Sequence, residues 1–119
     1  MLDLDARLTE IAPAGDTELH RHTYEALFYV VAGTGYSTIS VDAGETERIE
    51  WQAGDLLATP RGTWHQHANG SSSEPARLLE VTTAPLAQAW GTLWFEKREP
   101  EFGGPAKRVC EPEHCALIG

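Results

Sequence analysis

Apolar and polar residues alternate in short runs along most of the chain, and turn residues separate these runs. Alternation with a period of two is typical of a β-strand with one buried face. Several short strands with glycine and proline turns between them predict an all-β sandwich or barrel. The pattern predicts strands at residues 8–12, 18–22, 26–31, 36–41, 46–51, 56–59, 63–68 and 76–83.

Two neighbouring stretches give more specific expectations. Residues 26–31 are continuously apolar, so this strand is expected to be covered on both of its faces. Gly33, Thr34 and Gly35 follow it and predict a tight hairpin to the next strand.

The period of the apolar positions changes after the last predicted strand. Leu86, Trp90, Leu93 and Trp94 recur at helical spacing, and Pro85 suits a first helical position. We therefore expect a helix over residues 85–97 on the outside of the barrel. The glycine- and proline-rich segment 103–105 then predicts an irregular tail. The chain is thus divided into a β-barrel domain with a C-terminal helix, residues 1–99, and a tail, residues 100–119.

The charge balance narrows the range of partners. The 119 residues carry a formal net charge of −9, whereas nucleic-acid binding requires a basic patch. No run approaches the roughly 20 apolar residues of a membrane span, and the first residues are acidic rather than basic. We expect a cytoplasmic protein that binds neither nucleic acid nor a membrane.

Two cysteines and a histidine lie close together in the tail. Cys110, His114 and Cys115 lack the fourth ligand that a structural zinc site needs. In a reducing compartment, two free thiols are the expected state.

Four of the five histidines form two pairs with one residue between the members, His20/His22 and His65/His67. Residues i and i+2 of a strand point to the same face, so each pair directs its rings to one side. A third imidazole from the other pair completes a three-nitrogen site with open positions for substrate or oxygen. A single buried histidine is usually only a hydrogen-bonded core residue, but two such pairs favour a metal site.

The second pair lies in a segment that resembles the second cupin motif, G-x5-P-x-G-x2-H-x3-N. The motif is matched at every defined position, which are Gly54, Pro60, Gly62, His65 and Asn69. The resemblance implies a single cupin domain, a double-stranded β-helix or jelly-roll barrel, in which His20, His22 and His65 bind one divalent metal ion.

The first cupin motif is matched less completely, because most cupins carry a metal-binding glutamate where this chain has Ala26. Glu25 is adjacent, but neighbouring residues of a strand face opposite ways, so Glu25 is expected to point out of the barrel. A site of three histidines without a carboxylate resembles that of the gentisate 1,2-dioxygenase group, as do residues 85–86 and 93–96 after the barrel. That resemblance implies Fe(II) and a dioxygenase reaction.

Two positions depart from the pattern of that group. Phe28 lies where those enzymes have an arginine that helps to hold the substrate carboxylate, and Gln66 replaces an aspartate. Losing a bidentate cation changes what the pocket binds. His67 faces the same side as His65, which suits a general base or a structural hydrogen bond. We expect His67 to be catalytic and the substrate-binding residues to be Tyr24, Phe28, Tyr36, Trp64 and Gln66.

The sequence thus predicts a metal-dependent small-molecule enzyme, with an Fe(II) dioxygenase acting on an aromatic or enolisable substrate favoured. Two alternatives stay open: a non-catalytic cupin that binds a metal or small ligand, and an isomerase or lyase using manganese, nickel or zinc. The Trp-rich helix and the family habit also predict a homodimer.

Overall fold

The computed structural model describes residues 3–40, 45–98 and 107–108. Within these ranges the chain forms ten strands and one short helix, which confirms the expectation of an all-β fold. The strands are β1 (Asp5–Ile11), β2 (Leu19–His22), β3 (Ala26–Ala32), β4 (Thr34–Ser40), β5 (Thr46–Gln52), β6 (Leu56–Thr59), β7 (Trp64–Asn69), β8 (Ala76–Thr82), β9 (Phe95–Arg98) and β10 (Lys107–Arg108); the helix α1 is Ala84–Ala89.

The strands form two antiparallel sheets that face each other. One sheet has the order β1-β8-β3-β6, and the other has the order β10-β9-β2-β7-β4-β5. Inward-facing residues of both sheets form one apolar core, and buried side chains alternate with more exposed ones along β3, β6 and β8. The core consists of Ile11, Ala26, Phe28, Val30, Trp51, Leu57, Ala76 and Leu78.

The predicted hairpin at Gly33 is wrong. β3 pairs with β6 and β8, whereas β4 pairs with β5 and β7, so the chain crosses from one sheet to the other at this point. Gly33 has a φ of 94°, and a Cβ there would lie 2.8 Å from the Cα of Ala76. The crossing therefore needs glycine, and a glycine-rich segment in the sequence fits a crossing between sheets as well as a hairpin.

The predicted helix over residues 85–97 is correct only in its first half. α1 begins at Ala84 with a proline in its first turn, as expected, but it ends at Ala89. The chain turns at Gly91 and continues as β9, whose Phe95 pairs with His22. Leu93, just before β9, and Phe95, within it, thus pack against the helix, and the helical spacing of Leu93 and Trp94 from Leu86 is coincidental.

The tail is described only at Lys107 and Arg108, which pair with β9. Residues 100–106 and 109–119, with Cys110, His114 and Cys115, lie outside the described residues, so the division at residue 99 stays a prediction. The described residues include no helix with the length and apolar character of a membrane span.

Candidate metal centre

Antiparallel pairing of β2 with β7 brings the two histidine pairs together. His20 lies directly opposite His65 in the register of the two strands, and His22 follows on the same face two residues later. The ring centroid of His65 lies 4.4 Å from that of His20 and 4.8 Å from that of His22. The side chains of His22 and His65 are almost completely buried. The period-two argument from the sequence therefore places these three rings correctly.

The three rings offer nitrogen atoms to one common point. One ring nitrogen from each of His20, His22 and His65 lies within 4.8 Å of the other two, and no other group of this kind occurs in the described part of the chain. The three nitrogen atoms are therefore close enough together to converge on one metal ion.

Backbone carbonyl groups orient two of these rings. Nδ1 of His22 donates a hydrogen bond to the Tyr24 carbonyl at 2.8 Å, and Nδ1 of His65 donates one to the Thr63 carbonyl at 3.0 Å. A carbonyl can only accept, so Nε2 of each ring carries a lone pair. Both Nε2 atoms are buried without a hydrogen-bond partner among the described residues, as is Nδ1 of His20. Two oriented, unprotonated Nε2 atoms and the unpartnered Nδ1 of His20 fit a bound metal ion.

The interior also keeps these histidines uncharged. Burial, reinforced by the neighbouring histidines, lowers the pKa of His20 to about 2 and that of His22 to about 3. Burial lowers the pKa of His65 to about 4. The neutral imidazole is the form that binds metal, so the rings are ready for an ion at neutral pH.

Glu25 lies apart from the three histidines. Its side chain is 62% exposed, and its Oε1 lies 3.4 Å from Nη2 of Arg61. The expectation that Glu25 points outward is confirmed, and the group at the centre consists of histidines alone.

His67 lies beside this group on the same face of β7. Its ring centroid is 5.9 Å from that of His65 and 4.3 Å from that of Phe28. Burial, followed by the neighbouring His65 and His22, lowers the pKa of His67 to about 3. His67 is therefore also neutral at neutral pH.

Two of the predicted substrate-binding residues contact the histidines. The ring of Tyr24 stacks on His22 with centroids 3.8 Å apart, and Phe28 packs against His67 as described. Burial and the nearby carboxylate of Glu80 raise the pKa of the Tyr24 phenol, so this hydroxyl stays protonated. The two side chains form an apolar lining beside the centre.

The other three predicted substrate-binding residues face away from the centre. Trp64 and Gln66 alternate with His65 and His67 along β7 and therefore point to the opposite face of the sheet. Trp64 stacks under the guanidinium of Arg21, 4.9 Å from its ring, while Gln66 donates a hydrogen bond to the Thr17 carbonyl at 2.8 Å. Tyr36 likewise points outward and lies 3.7 Å below Arg48. The strand parity that placed Glu25 correctly also excludes these three from the interior.

An ion pair on the interior face of the four-stranded sheet escaped the sequence interpretation. Nε of Arg7 lies 3.0 Å from Oε2 of the buried Glu80, and Glu80 is the register partner of both Arg7 and Phe28. Phe28 in turn packs with its ring centroid 4.3 Å from that of His67, so the pair borders the histidine group. Glu80 is the single acidic residue in the mainly apolar strand predicted at 76–83, and this feature of the sequence indicates a charge that needs a partner.

The jelly-roll topology and the histidine centre together define the class of protein. Residues 7–82 match the family model of the Cupin domain, which is more than half of the chain. The chain therefore belongs to the cupin family.

Within that family, the chain is similar to several aromatic-ring dioxygenases. It is 37% identical over 114 residues to gentisate 1,2-dioxygenase 1 of Aquipseudomonas alcaligenes, which covers 96% of the chain and 30% of that protein. It is 29% identical over 102 residues to 5-aminosalicylate 1,2-dioxygenase of Comamonas sp., which covers 86% of the chain and 24% of that protein. These relatives confirm the resemblance to the gentisate dioxygenase group, although the chain spans less than a third of their length.

A solved structure shows the same fold. The salicylate 1,2-dioxygenase from Pseudaminobacter salicylatoxidans superposes with a TM-score of 0.71 at 23% identity, covering 90% of this chain and 30% of that one. At this identity the similarity demonstrates a common fold and nothing about the reaction.

Proposed function

We propose that the protein is a metal-dependent enzyme acting on a small molecule, specifically an Fe(II)-dependent dioxygenase for an aromatic or enolisable substrate. The observation that carries the proposal is the group of three buried, neutral ring nitrogens in His20, His22 and His65. Such donors suit iron, manganese, nickel and zinc, and the similarity to dioxygenases favours iron. A reducing compartment keeps iron ferrous, which agrees with the cytoplasm as the proposed location.

When bound, the metal ion would supply positive charge that orients substrate oxygens for reaction with O2. The residues of the chain orient the ligand rings, exclude water and supply a further imidazole. The carbonyls of Thr63 and Tyr24 hold the ligand rings in place, and the rings of Tyr24 and Phe28 exclude water beside them. His67 is the proposed catalytic residue, because it is the one further imidazole on this face among the described residues.

The substrate class is argued from the charges around the centre. Phe28 occupies the place of an arginine in the gentisate group, and the nearest guanidinium on this face, that of Arg7, is already paired with Glu80. A carboxylate on the substrate thus has no dedicated bidentate partner at position 28. We propose a hydroxylated aromatic or diketone that lacks the carboxylate of gentisate.

The test is metal analysis of protein purified without oxygen, followed by oxygen uptake with catechols, hydroxybenzoates and diketones. His65→Ala should lose both iron and oxygen uptake, since two remaining histidines hold Fe(II) poorly. His67→Ala should retain iron and turn over roughly 100- to 10,000-fold more slowly. Glu25→Gln is the matched control, because it changes an exposed carboxylate that the metal does not need, and it should match wild type.

The outcomes separate the alternatives. If the protein binds stoichiometric metal but takes up no oxygen with any of these compounds, the enzyme proposal is replaced by that of a non-catalytic cupin that binds a metal or small ligand. Turnover that needs no oxygen would indicate an isomerase or lyase instead.

We also propose that two copies of this chain associate through the outer face of the four-stranded sheet. The outward side chains of its four strands are apolar across the whole width, and they include Leu8, Leu27, Tyr29, Val31, Leu56 and Leu79. The sequence predicted that residues 26–31 are covered on both faces, whereas the described chain covers only the inner one. The charges on this face, Glu10 and Arg77, form an ion pair at one end, so two copies meet without like-charge repulsion.

A further inference from the structure

A chain of hydrogen bonds runs from a core tryptophan to His67. Nε1 of Trp51 donates to Oγ of Ser37 at 2.9 Å, and the same Oγ lies 2.5 Å from Nδ1 of His67. Trp51 is 4% exposed, Ser37 is fully buried and His67 is 3% exposed. Water therefore does not compete for these bonds, and each group must find its partner inside the protein.

The direction of each bond follows from the chemistry of the groups. An indole N–H only donates, so Ser37 must accept from Trp51. The remaining acceptor in contact with the Ser37 hydroxyl, among the described residues, is Nδ1 of His67. The hydroxyl proton thus points at Nδ1, which must carry a lone pair. In the neutral ring the proton then lies on Nε2, an atom that is buried and has no partner among the described residues.

The strand register holds the three side chains in line. Ser37 is opposite His67 in the β4–β7 pair, and Gly35 is opposite Trp51 in the β4–β5 pair. A Cβ at Gly35 would lie 2.4 Å from Cη2 of Trp51 and 2.1 Å from the Ala68 carbonyl oxygen. Only glycine at this position lets the indole lie close enough to reach Ser37.

We infer that Ser37 and Trp51 are positioning residues that fix His67 in the tautomer with a proton on Nε2. This is the opposite tautomer to that of His22 and His65, whose Nδ1 atoms bear the proton. Two histidines on one face of β7 therefore present Nε2 in different forms: that of His65 carries a lone pair, and that of His67 carries a proton. His67 does not act as a fourth metal ligand in this form, and it donates to an anionic oxygen instead of removing a proton.

The role toward substrate rests on the proposed function, but the tautomer does not. We therefore test the tautomer first, by long-range ¹H–¹⁵N spectra of ¹⁵N-labelled, metal-free protein. Wild type should show protonated Nε2 and bare Nδ1 for His67, and the reverse for His22 and His65. Ser37→Ala should abolish the preference at His67, whereas Ser37→Thr, which keeps the hydroxyl, should preserve it. Trp51→Phe should weaken this tautomer preference, because the variant keeps an aromatic ring but loses the indole N–H that donates to Ser37.

Thr59→Val is the matched control. It also removes a fully buried hydroxyl, but that hydroxyl has no hydrogen-bond partner among the described residues, so the His67 spectrum should match wild type. In Co(II)-loaded protein, the visible absorption of Ser37→Ala should change as His67 becomes able to bind the metal, and that of Thr59→Val should not. In the iron-loaded enzyme, Ser37→Ala should lower kcat/KM about 10- to 100-fold.

Two results would overturn the inference: a proton on Nδ1 of His67 in wild type, or an unchanged tautomer in Ser37→Ala. If the tautomer is as inferred and no oxygen is consumed, the arrangement of Trp51, Ser37 and His67 stands and the dioxygenase proposal fails.

Discussion

At the scale of single residues, the side chains that face the interior decide the chemistry. His65 and Trp64 are adjacent in sequence, yet one points toward the metal centre and the other stacks on Arg21 outside the sheet. The three ligand candidates were predictable from the sequence, because residue type and period-two spacing agree for them. The residues that line the centre were predicted less well. Tyr36, Trp64 and Gln66 have suitable residue types, but their alternation with inward-facing neighbours places them on the outer face of the sheet.

The ion pair beside Phe28 gives a sharp test of the substrate class. Phe28→Arg places a second guanidinium beside the buried Glu80, whose carboxylate is already paired with Arg7, so the new guanidinium is available to a substrate carboxylate. We expect hydroxylated benzoates to bind roughly 10- to 100-fold more tightly than to wild type, from one charge-assisted contact of about 1.5–3 kcal/mol. Calorimetric titration measures the dissociation constants.

Phe28→Gln, which is polar and uncharged, is the control for the loss of the ring. Equal affinity of all three proteins for benzoates would show that position 28 does not face the substrate.

At the scale of secondary-structure elements, the strands were predicted more accurately than their connections. β3 and β4 have the expected bounds to within a few residues, but the chain between them changes sheets instead of turning back. A glycine-rich turn has the same sequence signature in both cases, and only the packing of Gly33 against Ala76 distinguishes them. β9 was missed because the apolar residues just before it, Leu93 and Trp94, fit a helical period.

The outer face of the four-stranded sheet predicts how the protein associates. Leu79→Lys, in the middle of that face, should convert a dimer into a monomer, because it places two positive charges against each other across a twofold interface. Trp90→Lys is the control, since Trp90 is a 72% exposed aromatic residue at the C-terminal end of the helix and is not part of the four-stranded sheet. Light scattering at micromolar concentration distinguishes the two states. A wild-type mass of 13.0 kDa would contradict the dimer.

At the scale of the whole molecule, the buried histidines make stability depend on pH. The pKa values of His20, His22, His65 and His67 are about 2 to 4 in the folded protein, whereas in the unfolded chain they are near 6.5. Below pH 6.5 the unfolded chain therefore takes up protons that the folded protein does not, and the free energy of unfolding falls. Above pH 6.5 this contribution to stability is fully present.

We expect metal-free protein to lose about 1.4 kcal/mol of unfolding free energy per pH unit for each such histidine as the pH falls below 6.5. Urea unfolding at pH 7.5, 6.5 and 5.5 measures this slope. His67→Gln should show a shallower dependence than wild type, because it has one titrating group fewer. A free energy of unfolding that does not change between pH 7.5 and 5.5 would show that the histidines are not buried as described.

The pairing of His20 with His65 also has a consequence for the order of folding events. β2 and β7 are separated in sequence by four other strands, so the two histidines meet only after long loops have closed. The centre is therefore absent from early, locally structured states and is completed late. We therefore expect a metal ion that needs all three rings to slow unfolding and to leave the folding rate nearly unchanged.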